Sequence, residues 1–307
     1  MSKSLIARLY NVSDNTVQSI FDTLFWNDKL YKNHLPKAIC FDEFTYKKKV
    51  FAFNICDAKT GKTIDLVEDR STKNLDKYFS YYLEGAQLNV EFVIVDMYNP
   101  YIELIKKWFP NAKIIIDLFH VIQLTTRSLN KTRINVMKEN KEDQNKFKRY
   151  WRLVLKSRFD LDFGSWKRFW CFKNLMTEVD VVDYLVEKDA ILDASYCLYQ
   201  DILYYLQHRD YDGFNKIINL EYNNISNEML TTLKTLKKYS EYIKNTLEYP
   251  YSNGVMERNN NTCKLIKRIS YGFRNFRNMK SRVMIITNIF RKTKREYCTK
   301  YTIPLYS

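Results

Sequence analysis

The spacing of hydrophobic residues predicts three kinds of structure in succession along the chain. Residues 4–25 carry apolar side chains at helical spacing with a break before Ser13, which predicts two short helices with Ser13 as the N-cap of the second. After Pro36 the spacing becomes that of strands, and over 119–247 it is helical again and rich in aromatic residues. The seam between the first two helices would consist of Leu5, Ile6, Leu9, Val12, Val17, Ile20 and Phe21.

The strand region has a recognisable element order. Hydrophobic runs at 38–41, 50–56 and 64–67 predict a three-stranded antiparallel meander with turn residues at 57–62. The predicted elements that follow are a helix at 75–82, a strand at 92–95, a helix that starts at Asn99-Pro100 and a strand at 113–116. This order predicts an α/β fold: an RNase H-like mixed sheet flanked by helices, with a large all-α insertion before the last helices.

Two of the buried strands are predicted to end at an aspartate. Asp42 follows the first strand and Asp96 follows the fourth, and in an RNase H-like sheet these strands are neighbours. Two buried carboxylates without a cation would repel each other, so a shared metal ion is the simplest arrangement. Carboxylate oxygens suit Mg²⁺, and a pair of ions suits phosphoryl transfer. Asp42 considered alone is equally well explained as a turn-forming acid.

Glu257 opens a basic helix after the break at Pro250 and Gly254. At ~100° per residue, its face carries Asn261, Lys264 and Arg268. The opposite side, which we expect to pack, carries Val255, Ile266, Ile269 and Phe273. A place in the first turn favours the ionised carboxylate that a metal requires, although a solvated glutamate in a charged helix is the alternative.

Asp117 and His120 form a further pair on one side of a predicted helix. They could support a metal ligand or contact DNA. The alternative is an N-cap aspartate beside a hydrogen-bonded histidine. Asp117 also rivals Asp96 as the second catalytic acid, because both close buried strands.

Charge points to a polyanionic partner. The 307 residues include 50 Lys and Arg against 35 Asp and Glu, which gives a net charge of +15. A dense basic tract, interleaved with Tyr271, Phe273 and Phe276, would hold a phosphate backbone. The tract consists of Lys264, Lys267, Arg268, Arg274, Arg277, Lys280 and Arg282. No apolar run is long enough to span a bilayer and no signal peptide is evident, so we expect a soluble, cytoplasmic protein.

We interpret the cysteines and the aromatic residues of the helical region as buried core residues. The six cysteines are scattered without a Cys-x-x-Cys pair, which predicts buried reduced thiols and no zinc ribbon. The aromatic residues of 119–247 could stack on bases. At helical spacing, however, we interpret them as core.

Several sequence motifs resemble the bacterial insertion-sequence transposases of the ISL-three family. They are Asp42-Glu43-Phe44, the stretch from Val95 to Tyr101, the stretch from Phe109 to His120, Ser252-Asn253-Gly254, and the stretch from Lys267 to Phe276. They occur in order over most of the chain. The resemblance implies a DDE transposase with Asp42, Asp96 and Glu257 as catalytic residues and as ligands of two Mg²⁺ or Mn²⁺ ions.

The resemblance also implies partners and a division of the chain. The partners would be double-stranded DNA, both transposon terminal repeats and target, bound by a homo-oligomer at the bacterial nucleoid. The expected segments are a partial helix-turn-helix-like DNA-binding segment at 1–35, the first part of the catalytic core at 36–138, the helical insertion at 139–248 and the C-terminal core helices at 249–307. A nuclease without strand transfer and an inactive DNA-binding relic are the alternatives.

The region that usually lies upstream of the catalytic core in this family is only partly present in this sequence. Family members usually carry a zinc-binding segment and a complete helix-turn-helix upstream of the core, whereas this sequence starts inside that region. We therefore expect a truncated or trimmed product that grips DNA with little preference for the transposon ends.

Overall fold

The computed structural model describes residues 3–25 and 33–288, which form two compact units. Unit 1 comprises the described residues up to Ile115 and those from Tyr251 onward, and unit 2 comprises Ile116–Pro250. The strands are β1 Ala38–Lys47, β2 Val50–Asp57, β3 Thr63–Val67, β4 Phe92–Val95, β5 Lys113–Ile116, β6 Lys167–Arg168 and β7 Leu175–Met176. The predicted segment boundaries at 138 and 248 stay a prediction.

The helices of the described residues are numbered in chain order. They are α1 Lys3–Leu9, α2 Asp14–Phe25, α3 Thr72–Phe79, α4 Glu84–Leu88, α5 Asn99–Trp108, α6 Leu118–Glu139, α7 Gln144–Val154, α8 Glu178–Val186, α9 Ala190–Gln207, α10 Tyr211–Asn219, α11 Asn227–Lys238, α12 Ser240–Glu248, α13 Gly254–Ile269 and α14 Phe276–Asn288. A single 3₁₀ turn lies at Arg158–Asp160.

A five-stranded mixed sheet is the centre of unit 1. Its strand order is β3-β2-β1-β4-β5, with β1, β2 and β3 antiparallel and β4 parallel to β1. Helices α3 and α5 lie between the meander and the last strands, as the hydrophobic pattern predicts. The prediction of an RNase H-like α/β fold is confirmed.

The sheet buries an aromatic cluster on one face. The Phe53 ring lies 5.1 Å from that of Phe41, 6.4 Å from that of Phe79 and 5.6 Å from that of Tyr101. Phe79 and Tyr101 come from α3 and α5, so the cluster attaches both helices to the sheet. Paired rings of this kind add to the free energy gained by burying their area.

The other side of the meander packs against the last two helices. Phe44 and Leu66 of the sheet are buried in one cluster with Cys263 of α13 and Met279 of α14. These contacts also explain where one sequence prediction was wrong. The first strand does not end at Asp42 but continues to Lys47, because residues beyond the aspartate still alternate into this cluster and still pair with β2.

The two N-terminal helices form as predicted, but their seam does not. The Thr16 amide donates to the Ser13 hydroxyl at 3.0 Å, which confirms Ser13 as the residue that caps α2. Val17 is buried, whereas the rest of the predicted seam with a described side chain is exposed or only half-buried. Helix α2 nevertheless contacts α1, and it also packs toward α14, where Arg277 lies 3.4 Å from Asp22.

Unit 2 is helical, as its spacing predicts, apart from the short hairpin of β6 and β7. Tyr196 and Tyr199 of α9 are buried in its core, which confirms the core interpretation for them. That interpretation is wrong for Trp151, Trp166 and Trp170, whose side chains are exposed. Trp166 and Trp170 lie in the hairpin and not in a helix, so helical spacing does not describe their burial.

The cysteines divide by burial. Cys40, Cys56 and Cys263 are buried, as predicted, whereas Cys171 and Cys197 are exposed. A hydrogen bond with Cys56, together with burial, raises the pKa of the Cys40 thiol well above its ordinary value. Cys298 lies outside the described residues.

Within 3–25 and 33–288, none of the helices is both long and apolar enough to cross a lipid bilayer.

The aromatic cluster gives a test of the fold. We expect Phe53→Ala to lower the free energy of unfolding by about 3–5 kcal/mol, because it leaves a cavity among three aromatic rings. Tyr81→Ala, which truncates an aromatic side chain that is half exposed, should change it by no more than about 0.5 kcal/mol. Urea unfolding followed by circular dichroism measures both. Equal effects would contradict a core centred on Phe53.

Candidate functional site

The strand register places Asp42 and Asp96 at equivalent positions. β1 and β4 run parallel and pair from Ala38 with Phe92 to Cys40 with Ile94. Each aspartate lies two residues beyond the last of these pairs, and both side chains are half-buried. The Asp42 carboxylate also accepts a hydrogen bond from the Glu43 amide at 2.6 Å.

Helix α13 and its N-cap residue contact both aspartates through asparagine side chains. Asn260 donates from Nδ2 to Oδ2 of Asp42 at 2.8 Å, and Asn253 donates from Nδ2 to Oδ1 of Asp96 at 3.2 Å. Both asparagines are almost fully buried. One helix therefore fixes the orientation of both carboxylates with neutral donors, which add no charge to the site.

A buried amide network holds this helix on the sheet. Asn54, which lies opposite Asp42 on β2, donates from Nδ2 to Oδ1 of Asn260 at 2.8 Å and to Oδ1 of Asn259 at 3.2 Å. Asn259 in turn donates to the Thr63 hydroxyl at 3.0 Å and to the Gly61 carbonyl at 3.1 Å. Breaking such a network would leave buried polar groups unsatisfied, so the position of α13 is tightly specified.

In sequence, Glu257 lies between the two asparagines that contact the aspartates. At ~100° per residue, both asparagines lie on the same side of Glu257 around the helix axis, Asn253 about 40° and Asn260 about 60° away. Its side chain is exposed, on the flank of the helix that also carries Lys264 and Arg268. The third acid therefore lies beside the face that meets the sheet.

The packed face of α13 differs from the predicted one. It consists of Met256, Asn259, Asn260, Cys263 and Ile266. Of the residues predicted to pack, only Ile266 is fully buried, and Ile269 is 57% exposed because the helix ends there. The prediction considered only apolar residues, whereas Asn259 and Asn260 form part of the buried contact.

Glu43, the neighbour of Asp42, has a different role. Its carboxylate pairs with the Arg70 guanidinium and accepts a hydrogen bond from the Tyr101 hydroxyl at 2.5 Å. Burial raises the pKa of Tyr101, so its hydroxyl stays protonated as the donor. Glu43 therefore has a structural role as the partner of Arg70 and Tyr101, whereas Asp42 is contacted by Asn260 of α13.

Asp117 and His120 belong to unit 2. Asp117 is the N-cap of α6, and its carboxylate accepts from the Phe119 amide at 3.1 Å. His120 follows in the first turn, where its backbone amide donates to the Asp117 carbonyl and its ring packs edge-on to Phe119. The N-cap alternative therefore holds for Asp117, and a supporting role at a metal site stays a prediction for both residues.

The donor atoms at the two aspartates fit a hard divalent cation. Carboxylate and amide oxygens are the ligands that Mg²⁺ and Mn²⁺ prefer. Each carboxylate oxygen of Asp42 accepts one hydrogen bond from the residues above. That Asp42, Asp96 and Glu257 together hold such ions stays a prediction.

A basic cleft of about 1150 Å³ adjoins the C-terminal half of α13. Lys264, Lys267, Arg268 and Arg274 of the predicted tract line it, together with Tyr271. The turn between β1 and β2 adds Lys47 and Lys48, and no acidic side chain is part of its lining. Lys267 and Lys47 each donate to a backbone carbonyl, of Thr45 and Arg274 respectively, which fixes the cleft's two walls together.

The rest of the predicted basic tract lies elsewhere. Arg277 is close to Asp22, and the Lys280 ammonium lies 2.5 Å from the Asp65 carboxylate with only 13% of its side chain exposed. Arg282 is half-buried on α14. The case for DNA contact is therefore strongest for the four residues in the cleft.

Sequence reasoning missed the asparagines of the site. Asn259, Asn260 and Asn261 follow one another inside a helix, where asparagine is unfavourable because its side chain competes with the backbone. Such a run indicates that at least one of them makes a specific contact. Lys47 and Lys48 were missed as well, although a run of three lysines marks that turn.

Two comparisons with known proteins match this sequence over most of the chain. Residues 39–283 match the model of a family described as transposase, the DDE transposases of the ISL3 (ISL-three) type. The transposase for insertion sequence element IS1001 of Bordetella parapertussis is 25% identical over 247 residues, which are 77% of this chain and 57% of that protein.

A second relative matches a shorter stretch. A Lactococcus lactis subsp. lactis protein named ATP-dependent protease is 44% identical over 112 residues, which are 36% of this chain and 35% of that protein. The chain therefore spans about a third and somewhat more than half of the lengths of these two curated relatives.

The contact between Asn260 and Asp42 gives a test that needs no substrate. Asn260→Asp would set two carboxylates against each other, so the pKa of one rises in the folded state. The variant's loss of unfolding free energy, about 1–3 kcal/mol near pH 8, should shrink as the pH falls through that raised pKa and one carboxyl becomes protonated.

Unfolding in EDTA near pH 8 and near pH 5 measures this loss. Asn261→Asp is the matched control, since Asn261 is exposed one residue further along the same helix. A loss of unfolding free energy that is the same at both pH values would contradict the placement of Asn260 against Asp42.

Proposed function

Because the chain belongs to the ISL3 family of DDE transposases, we propose that it cuts DNA at the ends of a bacterial insertion sequence and joins those ends to target DNA. Asp42, Asp96 and Glu257 are the three acids of this proposal. Since the chain spans only part of its curated relatives' length, the substrates and partners of the whole protein are part of the proposal too.

One observation carries the proposal. Asp42 and Asp96 lie at equivalent positions on neighbouring parallel strands, and each is held by an asparagine of the helix that carries Glu257. These amide donors are neutral, so they orient the two carboxylates without adding positive charge beside them.

The residues divide the work between holding ions and holding DNA. Two Mg²⁺ or Mn²⁺ ions, when bound, would supply Lewis-acid stabilisation of the charge that develops at phosphorus. Asp42, Asp96 and Glu257 would hold them, and Asn253 and Asn260 keep the two aspartates in their orientation. No covalent enzyme intermediate is required, because water or a DNA 3′-hydroxyl is the nucleophile.

The basic cleft would bind the DNA backbone. Three of its basic residues, Lys264, Lys267 and Arg268, lie on the same helix as Glu257, so phosphates bound there would lie along the helix that carries this acid. Contacts of this kind are insensitive to sequence and strongly dependent on salt. DNA binding at this cleft would also give a role to part of the chain's net charge of +15. We also propose that the chain acts as a homo-oligomer on DNA in the cytoplasm.

The test is cutting followed by joining. The full chain would be incubated with a plasmid that carries its gene and the flanking DNA, in Mg²⁺ or Mn²⁺, and the products would be sequenced. Cut ends that become joined to new DNA support a transposase. Cut ends without joining indicate a nuclease of the same fold, and binding without cutting indicates an inactive relic.

Substitution of the three acids should separate chemistry from binding. We expect Asp42→Asn, Asp96→Asn and Glu257→Gln each to lower the cutting rate by at least about three orders of magnitude, because each removes a ligand charge but keeps the shape. DNA affinity should stay nearly unchanged in gel-shift titrations. Asp57→Asn, at the end of β2, is the matched control and should cut normally. If Asp96→Asn also cut normally, Asp117→Asn would be the next variant to examine.

The cleft has its own test in the salt dependence of binding. Lys264→Ala with Arg268→Ala should flatten the slope of log affinity against log salt by about two phosphate contacts. Lys73→Ala with Lys77→Ala removes the same charge from the exposed side of α3 and serves as control. Fluorescence anisotropy at several salt concentrations gives the slopes. An unchanged slope in the first pair would remove the cleft from the DNA-binding surface.

A further inference from the structure

Unit 2 displays a hairpin whose large aromatic side chains point to solvent. The aromatic hairpin, residues 163–176, contains β6 and β7, which pair Lys167 with Met176 and Arg168 with Leu175. Phe163 is 58% exposed, Trp166 63% and Trp170 56%. Tryptophan is rarely exposed to this degree without a partner, so the hairpin is a candidate binding surface.

The hairpin is anchored, so its exposed rings do not result from a loose loop. The rings of Phe169 and Phe172 pack against Tyr150 of α7 at 5.5 and 5.8 Å, and the Tyr150 hydroxyl donates to the Trp170 carbonyl at 2.8 Å. At its base, the Asp162 carboxylate accepts from the Ser165 amide at 2.9 Å. Two of its aromatic residues thus anchor the hairpin, while others are held outward.

The charges on the hairpin are of one sign. Between Asp162 and Glu178 the sequence contains Lys167, Arg168 and Lys173 and no acidic residue. Lys167 is partly neutralised, since its ammonium lies 2.9 Å from Asp162. Arg168 and Lys173 are both exposed.

Arginine side chains of the neighbouring helix add to this positive surface. The Arg149 guanidinium of α7 lies over the Trp170 ring, 5.1 Å from its centre, and that of Arg152 lies over Trp151 at 5.2 Å. An uncharged lipid or an apolar protein surface would be bound by the apolar rings alone. Cations interleaved with flat rings match a ligand that has both phosphates and aromatic faces.

We propose that the aromatic hairpin binds an unpaired DNA strand, with Trp166 and Trp170 stacked on bases and Arg168 and Lys173 against phosphates. Base faces are accessible to an indole only where the strand is unpaired, as they are when a DNA end is opened or cut. The inference rests on the proposed function in that its ligand is DNA, but it does not require that the chain cuts DNA.

The test compares single-stranded with double-stranded DNA on the full chain. The probe is fluorescein-labelled oligothymidylate of about 16 nucleotides, the upper range of a single binding site. Binding should quench intrinsic tryptophan fluorescence. In Trp166→Ala with Trp170→Ala, affinity for this probe should fall at least about tenfold and most of the quenching should disappear. Affinity for duplex DNA should change less than about twofold, since it rests on the cleft.

Two further variants separate stacking from folding. Trp166→Phe with Trp170→Phe keeps flat rings and should keep most of the affinity for oligothymidylate. Arg168→Glu with Lys173→Glu changes only exposed charges and should also weaken binding. Tyr81→Ala with Leu83→Ala removes comparable exposed apolar surface from unit 1 and should have no effect.

Each outcome decides the question. Unchanged oligothymidylate affinity in both the Ala and the Glu variants would overturn the proposal. If sedimentation showed that the Ala variant had lost self-association while DNA binding was intact, the hairpin would instead be an interface between copies of the chain. A chain that binds oligothymidylate through the hairpin but never cuts DNA would support this inference while contradicting the proposed function.

Discussion

The buried amide contacts between α13 and the sheet are the constraint on which the rest of unit 1 depends. Asn54 donates to both Asn259 and Asn260 across the junction of β2 and α13, and Asn260 in turn donates to Asp42. A hydrophobic junction of the same area would tolerate sliding by part of a turn. Hydrogen bonds of fixed direction do not, so the position of Glu257 relative to the two aspartates is decided by uncharged residues.

Much of the fold could be predicted because local patterns and global structure agree. Strand spacing located the meander and the two later strands, and Asn99-Pro100 marked a helix start correctly. The helix predicted to open at Glu257, after a break at Gly254, begins at Gly254 itself. The errors have a common cause. A pattern reports which side chains are apolar but not which partner covers them, so it ended the first strand at Asp42 although Phe44 was still to be buried.

The candidate site was predictable in its acids and not in their support. Asp42 and Asp96 follow apolar runs, which is visible in sequence, whereas the contacts of Asn253 and Asn260 join residues about 150–220 positions apart. Nothing local indicates such a pairing. The same limit applies to the basic tract, where Lys264 and Lys280 look alike in sequence but only one meets an aspartate of β3.

The left-handed backbone at Tyr271 and Gly272 ends α13 abruptly and returns the chain toward the β1–β2 turn. The cations of the cleft are therefore contributed by segments far apart in sequence, and they converge only in the native state. Any polyanion that fits the cleft binds the folded chain better than the unfolded one and shifts the folding equilibrium by mass action. If the cleft binds nucleic acid as we propose, nucleic acid is also a folding ligand, and high salt, which weakens its binding, removes that stabilisation.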